Sequence, residues 1–215
     1  MVQLMTGPVK RTYDSSRRRA QARETRRAVV QAAHDLFVEQ GYGRTTIAQI
    51  AERAGVSSET IYATFKNKAT LLHRTWDVTV GGDDEDVVLH DRPEVMAIRA
   101  EPDLAERLMM QARFSTATAR RMSPFVRSVQ GAAGSEPSAA AMADEMERQR
   151  LNGISVMASE AAATGQLKVS EDECRDIIWS MTDGHLWYQL VLQRGWTDEQ
   201  YAVWLGRTWI AHLVR

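Results

Sequence analysis

Residues 45–65 read TTIAQIAERAGVSSETIYATF, and this stretch decides the fold. Ile47, Ile50, Ala51 and Ala54 recur at helical spacing and stop at Gly55. Thr46, followed three residues later by Gln49, has the spacing of a capping box. Ser57 offers an N-cap to a second run, 58–65, in which Ile61 and Phe65 stand one turn apart. Gly55 supplies a turn conformation that other residues reach only at a cost. Ala51 is small, so the second helix can cross close to the first. Two short helices across a tight turn form a helix-turn-helix, whose second helix enters the DNA major groove. Its outer positions, Ser57, Ser58, Glu59, Thr60, Tyr62 and Ala63, are polar or small, as contacts to base edges and phosphates require.

Outward from this motif the pattern stays helical. Val29, Ala33, Leu36 and Phe37 fall at i, i+4, i+7 and i+8, predicting a helix over 24–40 that ends at Gly41. Before it, residues 1–22 are polar and carry Arg17, Arg18 and Arg19 in a row. They read as a flexible basic arm, either reaching into a minor groove or simply solvated. After the motif, Leu71, Leu72 and Trp76 mark a fourth helix over 68–80, followed by an acidic break, GGDDED, at 81–86. Pro93 suits the first turn of a helix over 92–100. Further helices are expected over 102–121, 138–163, 171–194 and 197–213. Pro124 should start a new segment, and 131–137 should form a loop. Strand alternation and internal repeats are lacking, so the fold class is all-α.

The chain has 215 residues, 27 basic and 28 acidic. The near-neutral sum conceals a split. Residues 1–74 hold 13 basic and 6 acidic side chains, a net +7, and the remainder is net −8. A basic head on an acidic body suits a partner that is met by one end only, such as double-stranded DNA. No apolar run approaches the roughly 18 residues that would span a bilayer, and no export signal is legible, so a cytoplasmic protein without a membrane partner is expected. The single cysteine, Cys174, excludes an intrachain disulfide and a multi-cysteine metal site. His73 and Asp77 at i, i+4 read as a surface pair, and the acidic run at 83–86 lacks the spacing of a calcium loop. With no nucleophile motif, phosphate loop or dinucleotide fingerprint, neither an enzyme, a metal site nor a cofactor is expected.

The chain resembles the tetracycline-repressor (TetR-type) family of bacterial transcription regulators. The matching residues are Gly41-Tyr42, Thr45-Thr46, Ile50-Ala51, Ala54-Gly55-Val56-Ser57, Tyr62, Phe65, Lys68 and Leu71-Leu72, in order and at the family's spacing over about 24–75. Glu59 departs from the small residue common there. Its carboxylate repels phosphate but could accept from a cytosine amino group. The resemblance implies an N-terminal three-helix helix-turn-helix DNA-binding domain and a C-terminal helical ligand-binding and dimerisation domain. The expected divisions are an arm over 1–22, the DNA-binding domain over 23–67 and the second domain over 68–215. Candidate DNA contacts are Arg17, Arg18, Arg19, Tyr42, Thr45, Thr46, Ser57, Ser58, Glu59, Thr60, Tyr62, Lys66 and Lys68. The expected function is a repressor released from operator DNA by a small-molecule effector. A ligand-independent regulator and a helical enzyme keeping the motif as scaffold are the alternatives.

Five of the six tryptophans fall after residue 170. Two closing helices with large apolar faces suit either an intrachain core or a homodimer joined as a four-helix bundle; the resemblance implies the homodimer, through Trp179, Leu186, Leu190, Val203, Trp204 and Ile210. Trp76, Leu108, Arg113, Phe114, Met157 and His185 mix apolar and polar character on the intervening helices, and they are the candidate lining of an effector pocket.

Overall fold

A computed structural model of the chain describes residues 13–81 and 92–215. In chain order the helices are α1 (Tyr13–Gln40), α2 (Ile47–Ala54), α3 (Ser58–Phe65), α4 (Lys68–Gly81), α5 (Pro93–Ala100), α6 (Leu104–Ala133), α7 (Pro137–Ala163), α8 (Glu171–Ser180), α9 (His185–Trp187) and α10 (Asp198–Leu213). A π-helical turn, Tyr188–Gln193, continues α9. Among the described residues the only β pairing is an isolated bridge between Leu167 and Val214. The acidic break at 82–86 lies outside the described residues.

The short helices are specified by their ends. Thr46 accepts the Gln49 N–H while the Gln49 side chain accepts the Thr46 N–H, a complete capping box on α2. Gly55 closes α2 at φ +67°, a left-handed conformation in which a Cβ would be strained. The Val56 N–H then reaches back to the Ala51 carbonyl at 3.0 Å. Ser57 caps α3, accepting from the Thr60 N–H. Between α3 and α4 the chain turns through Lys66 at φ +64°, with the Asn67 N–H on the Phe65 carbonyl at 2.7 Å. That i→i+2 bond makes a γ-turn of the strained kind. Asn67 then caps α4, its Oδ1 accepting from the Thr70 N–H.

Two apolar cores share α6 and α7. The first joins α1–α4 to the later part of α6 and the start of α7: Phe37, Ile50, Ile61, Leu71 and Trp76 meet Phe125, Val129, Ala132 and Met142. Phe125 is its hub, stacked on His34 and Trp76 and edge-on to Phe37. The second joins the start of α6 and the end of α7 to α8, α9 and α10, around Leu104, Leu108, Ile178, Trp187, Leu205 and Trp209. The first core runs straight across the division expected at 67/68.

Three expectations about the helices are corrected. Pro124 does not begin a segment but lies inside the 30-residue α6. It removes one backbone donor, yet the full burial of Phe125 and Val129 in the first core holds the helix through it. The loop expected over 131–137 shrinks accordingly, because α6 runs to Ala133 and α7 starts at Pro137. The helix expected over 171–194 is broken at 181–184. Gly184 takes φ +84° where the chain crosses α6. A Cβ there would lie 3.3 Å from that of Ser123, whose hydroxyl donates to the Gly184 carbonyl. Finally, residues 13–22 of the expected flexible arm are the first turns of α1, and residues 1–12 lie outside the described residues.

Candidate nucleic-acid interface

The outer face of α3 is the part of the small domain that packing leaves open. Ile61 and Phe65 point into the first core, while Ser57, Glu59, Tyr62 and Lys66 are exposed and Ser58 and Thr60 half-exposed. Tyr62 is 51% exposed, much for an aromatic ring. The Glu59 backbone N–H and, after it, the Ser57 hydroxyl hold the Glu59 carboxyl below its usual range. The anion therefore persists at the N-terminal end of α3 and biases any base contact there towards a donor. Thr46 is exposed at the start of α2. The bidentate pair of Arg53 with Glu39, at 2.8 and 3.0 Å, ties α2 to α1 and fixes the frame of the motif.

Three other candidate contacts are turned inward. Tyr42 is 1% exposed: its N–H donates to Ser128, its hydroxyl bonds Ser138 at 2.8 Å, and its ring packs edge-on to Phe37. Thr45 is buried, its hydroxyl shared between the Leu36 and Gly41 carbonyls. Lys68 sets its ammonium 2.8 Å from the Tyr42 carbonyl and 4.0 Å from the centre of that ring, and burial lowers its pKa. These residues clamp the α1–α2 turn to α4, α6 and α7 and so position the motif, with Tyr42 and Thr45 out of reach of solvent. Sequence reasoning missed the partners in this clamp, Ser128 and Ser138. They lie 86 and 96 residues from Tyr42, beyond any local signal. Arg17, Arg18 and Arg19 are exposed on α1.

The candidate pocket residues are not brought together. Trp76 belongs to the first core and donates to Gln149 at 2.9 Å. Leu108 is buried in the second core, with Met157 packed against it. Arg113 is exposed and paired with Glu199, His185 is exposed, and Phe114 is half-buried. Two depressions among the described residues lie elsewhere and are open. One, of about 450 Å³, is lined by Met96, Arg99, Arg107 and Glu160. The other, of about 270 Å³, is lined by Leu151, Arg175 and Trp179. Core-facing and pocket-facing positions on a helix look alike in sequence, which is why core residues such as Trp76 and Leu108 stand in the set.

The candidate dimer face is split as well. Leu186, Leu190, Trp204 and Ile210 are half-buried around the second core, with Trp204 edge-on to Trp196, and Val203 is half-buried on α10. Trp179 lies before the break at 181–184, so it leaves the stripe it was assigned to. It packs instead beneath the Arg150 guanidinium, 4.8 Å from the ring centre. Of the late tryptophans, Trp187 and Trp209 are intrachain core. Among the described residues no group of acidic, histidine or cysteine side chains could hold a metal ion, and no helix is long and apolar enough to cross a membrane. Cys174 is buried, and burial pushes its thiol up to about 11.

A capped helix-turn-helix seated on a helical body defines the class: a two-core, all-helical protein of the DNA-binding helix-turn-helix type. The family model for bacterial regulatory proteins of the tetR family matches residues 29–75, so this N-terminal segment is similar to the DNA-binding domain of that family. Among its relatives, the HTH-type transcriptional regulator TtgR of Pseudomonas putida is 44% identical over 61 residues, 28% of this chain and 29% of TtgR. AcrR of Shigella flexneri is 37% identical over 59 residues, 27% of each chain. The matched stretch thus spans less than a third of these relatives. The fold likeness reaches further. NalD of Pseudomonas aeruginosa, a repressor of the MexAB-OprM multidrug efflux pump, aligns over 91% of this chain and 98% of its own at TM-score 0.67 and 18% identity. A protein from Saccharomonospora viridis solved in complex with choline aligns over 90% and 99% at TM-score 0.66 and 20% identity.

Proposed function

We propose that this chain is a sequence-specific transcriptional regulator that binds operator DNA as a homodimer and represses until a small molecule releases it. The observation that carries the reading is the outer face of α3: a rigid, capped helix presenting Ser57, Glu59, Tyr62 and Lys66 to solvent, within a domain shared with known regulators. Two such helices on a two-fold dimer would enter successive major grooves of a near-palindromic site. The half-buried apolar positions around Trp204 supply the self-complementary face. Thr46, Tyr62 and Lys66 are assigned to phosphates, and Ser57, Ser58, Glu59 and Thr60 to base edges. The activity is binding rather than catalysis, and it belongs in the cytoplasm.

Release works through the clamp. Arg121 on α6 donates to the Thr79 and Val80 carbonyls at the end of α4, and Phe125 presses on α1 and α4 together. An effector preferring a shifted α6 would move the small domains relative to one another, and it would lose affinity on DNA by the factor DNA loses on effector. NalD as an efflux-pump repressor and the choline-bound neighbour support an effector of drug-like or small cationic type. A ligand-independent regulator is the second reading, favoured by the close packing of Trp76 against Phe125 and Gln149 where a pocket was expected.

The test is selection of duplexes from a randomised pool, followed by binding over a range of salt. A selected near-palindrome with a steep salt slope supports the reading, and the absence of any enriched sequence refutes it. A thermal-shift screen with amphipathic and quaternary-ammonium compounds separates the two modes, because a ligand of the folded state raises its melting temperature.

A further inference from the structure

We infer that the first half of α1 is a second DNA-contacting element: a rigid basic helix that grips phosphates flanking the groove entered by α3. This deepens the proposed function and rests on its DNA-binding reading.

Burial along α1 begins at Val29; from Ser16 to Ala28 every residue is exposed except the half-buried Thr25. The segment from Tyr13 to Ala28 therefore projects by about 24 Å beyond the core it grows from, at 1.5 Å per residue. Residues 16–28 carry six arginines and one glutamate. Arg19, Arg23, Arg26 and Arg27 fall at i, i+4, i+7 and i+8, a single stripe about 100° wide along the helix. Glu24 lies outside that arc. Exposed arginines on one face of a helix with no apolar counterpart suit an anionic partner and no core.

The direction of projection names the partner. The other end of α1 meets the body, with His34 and Phe37 on Phe125 and Glu39 bonded to Arg53 of α2. The exposed half therefore runs away from α6 and α7. Helix α3 packs mainly on α2 and α4, and α2 in turn packs on α1. The stripe therefore belongs to the same small domain as the recognition helix, and we place both against the DNA. The helical form decides the mode of contact. An α-helix is about 10–12 Å across with its side chains, too wide for a minor groove about 6 Å wide. Residues 17–19, as part of this helix, would therefore lie along the backbone and not inside a minor groove. Arg19 to Arg26 cover about 10 Å of helix, and the same length of duplex axis presents about six phosphates at one per 1.7 Å.

The test uses the full chain and a duplex selected as above. Affinity is measured on two versions: one trimmed to the α3 half-sites, and one with about ten more base pairs on each side, one helical turn. Wild type should bind the flanked duplex more tightly. Replacing Arg19→Gln, Arg23→Gln and Arg26→Gln together should abolish that preference and lower the salt slope by about 1 for each phosphate that is no longer neutralised, up to about 3. The matching Arg→Lys triple variant should retain both, with unchanged helix content in each protein confirming the fold. A Gln variant that keeps the flank preference and salt slope would overturn the inference, as would one that loses affinity equally on both duplexes. In either case the stripe would serve another acidic partner or only the overall field. If wild type binds no selected duplex, the regulator reading falls first and this inference with it.

Discussion

The core around Phe125 and the core around Trp209 are built on the same two helices, α6 and α7, yet they serve different ends. The first is a junction. Every element of the DNA-binding motif reaches it, and it is pinned by polar bonds between distant segments, Tyr42 with Ser128 and Ser138 and Trp76 with Gln149. The second is a bundle core edged by half-buried apolar side chains, Leu186, Leu190, Trp204 and Ile210 among them. The first core joins the DNA-binding motif to the body; the second is edged by the half-buried tryptophans Trp196 and Trp204, a face of the kind that a second copy would cover. Sharing helices is what would let a change at one end of α6 be felt at the other.

Breaking the first core should have the largest effect. Phe125→Ala should cost about 3–5 kcal/mol, read as a lower denaturation midpoint, because it removes the ring shared by α1, α4 and α6. A cost below about 1 kcal/mol would mean that the junction collapses around the missing ring and carries little. Cys174, the only cysteine, reports on the second core independently. Its thiol is raised from its ordinary value of 9.0 to about 11 by burial, so at pH 8 native alkylation should be at least about 100-fold slower than in the unfolded chain. The sign follows. The native state keeps the thiol protonated, so the contribution of this group to stability is constant below pH 9 and declines as pH rises from about 9 towards 11. If Phe125→Ala exposes Cys174 to alkylation, the two cores unfold together. If protection survives, they are separable.

Smaller changes sharpen the contrast between frame and contact. Ser57→Ala removes the α3 cap and should cost about 1 kcal/mol. Tyr42→Phe, which breaks the hydroxyl link to Ser138, should cost about 0.5–1.5 kcal/mol. Tyr42→Phe should weaken DNA binding only by loosening the frame, whereas Ser57→Ala would also remove a proposed base contact. Tyr62→Phe should be the smallest in stability, within about 0.5 kcal/mol for an exposed site, yet it should lower DNA affinity measurably across all sequences. A Tyr62→Phe protein with full affinity would move the phosphate contact elsewhere on α3.

How much could be read in advance follows the range of the forces. Thr46, Gly55, Ser57 and Thr197 act on N–H groups or dihedrals within three residues, so α2, α3 and the start of α10 were legible from residue types alone. Gly184 and Pro124 misled for the opposite reason. Whether a glycine breaks a helix, or a proline is carried through one, depends on what crosses nearby, here Ser123 at one and the buried Phe125 at the other. Tyr42, Thr45 and Lys68 looked like phosphate ligands because of their residue types. Partners up to 96 residues away turn them inward. Arg17, Arg18 and Arg19 looked like an arm because no apolar period marks a helix with nothing to bury.

The sequence by itself determined an all-helical chain, the capped turn at Gly55, the outer face of α3 and a basic head on an acidic body, because each depends on neighbours within one or two turns or on summed charge. Only the tertiary structure decided that α6 runs unbroken past Pro124 into the DNA-binding half, that Tyr42 is a clamp and that the six expected pocket residues lie apart. Those outcomes depend on which apolar faces meet across the fold, a long-range choice made by packing and by the satisfaction of buried polar groups.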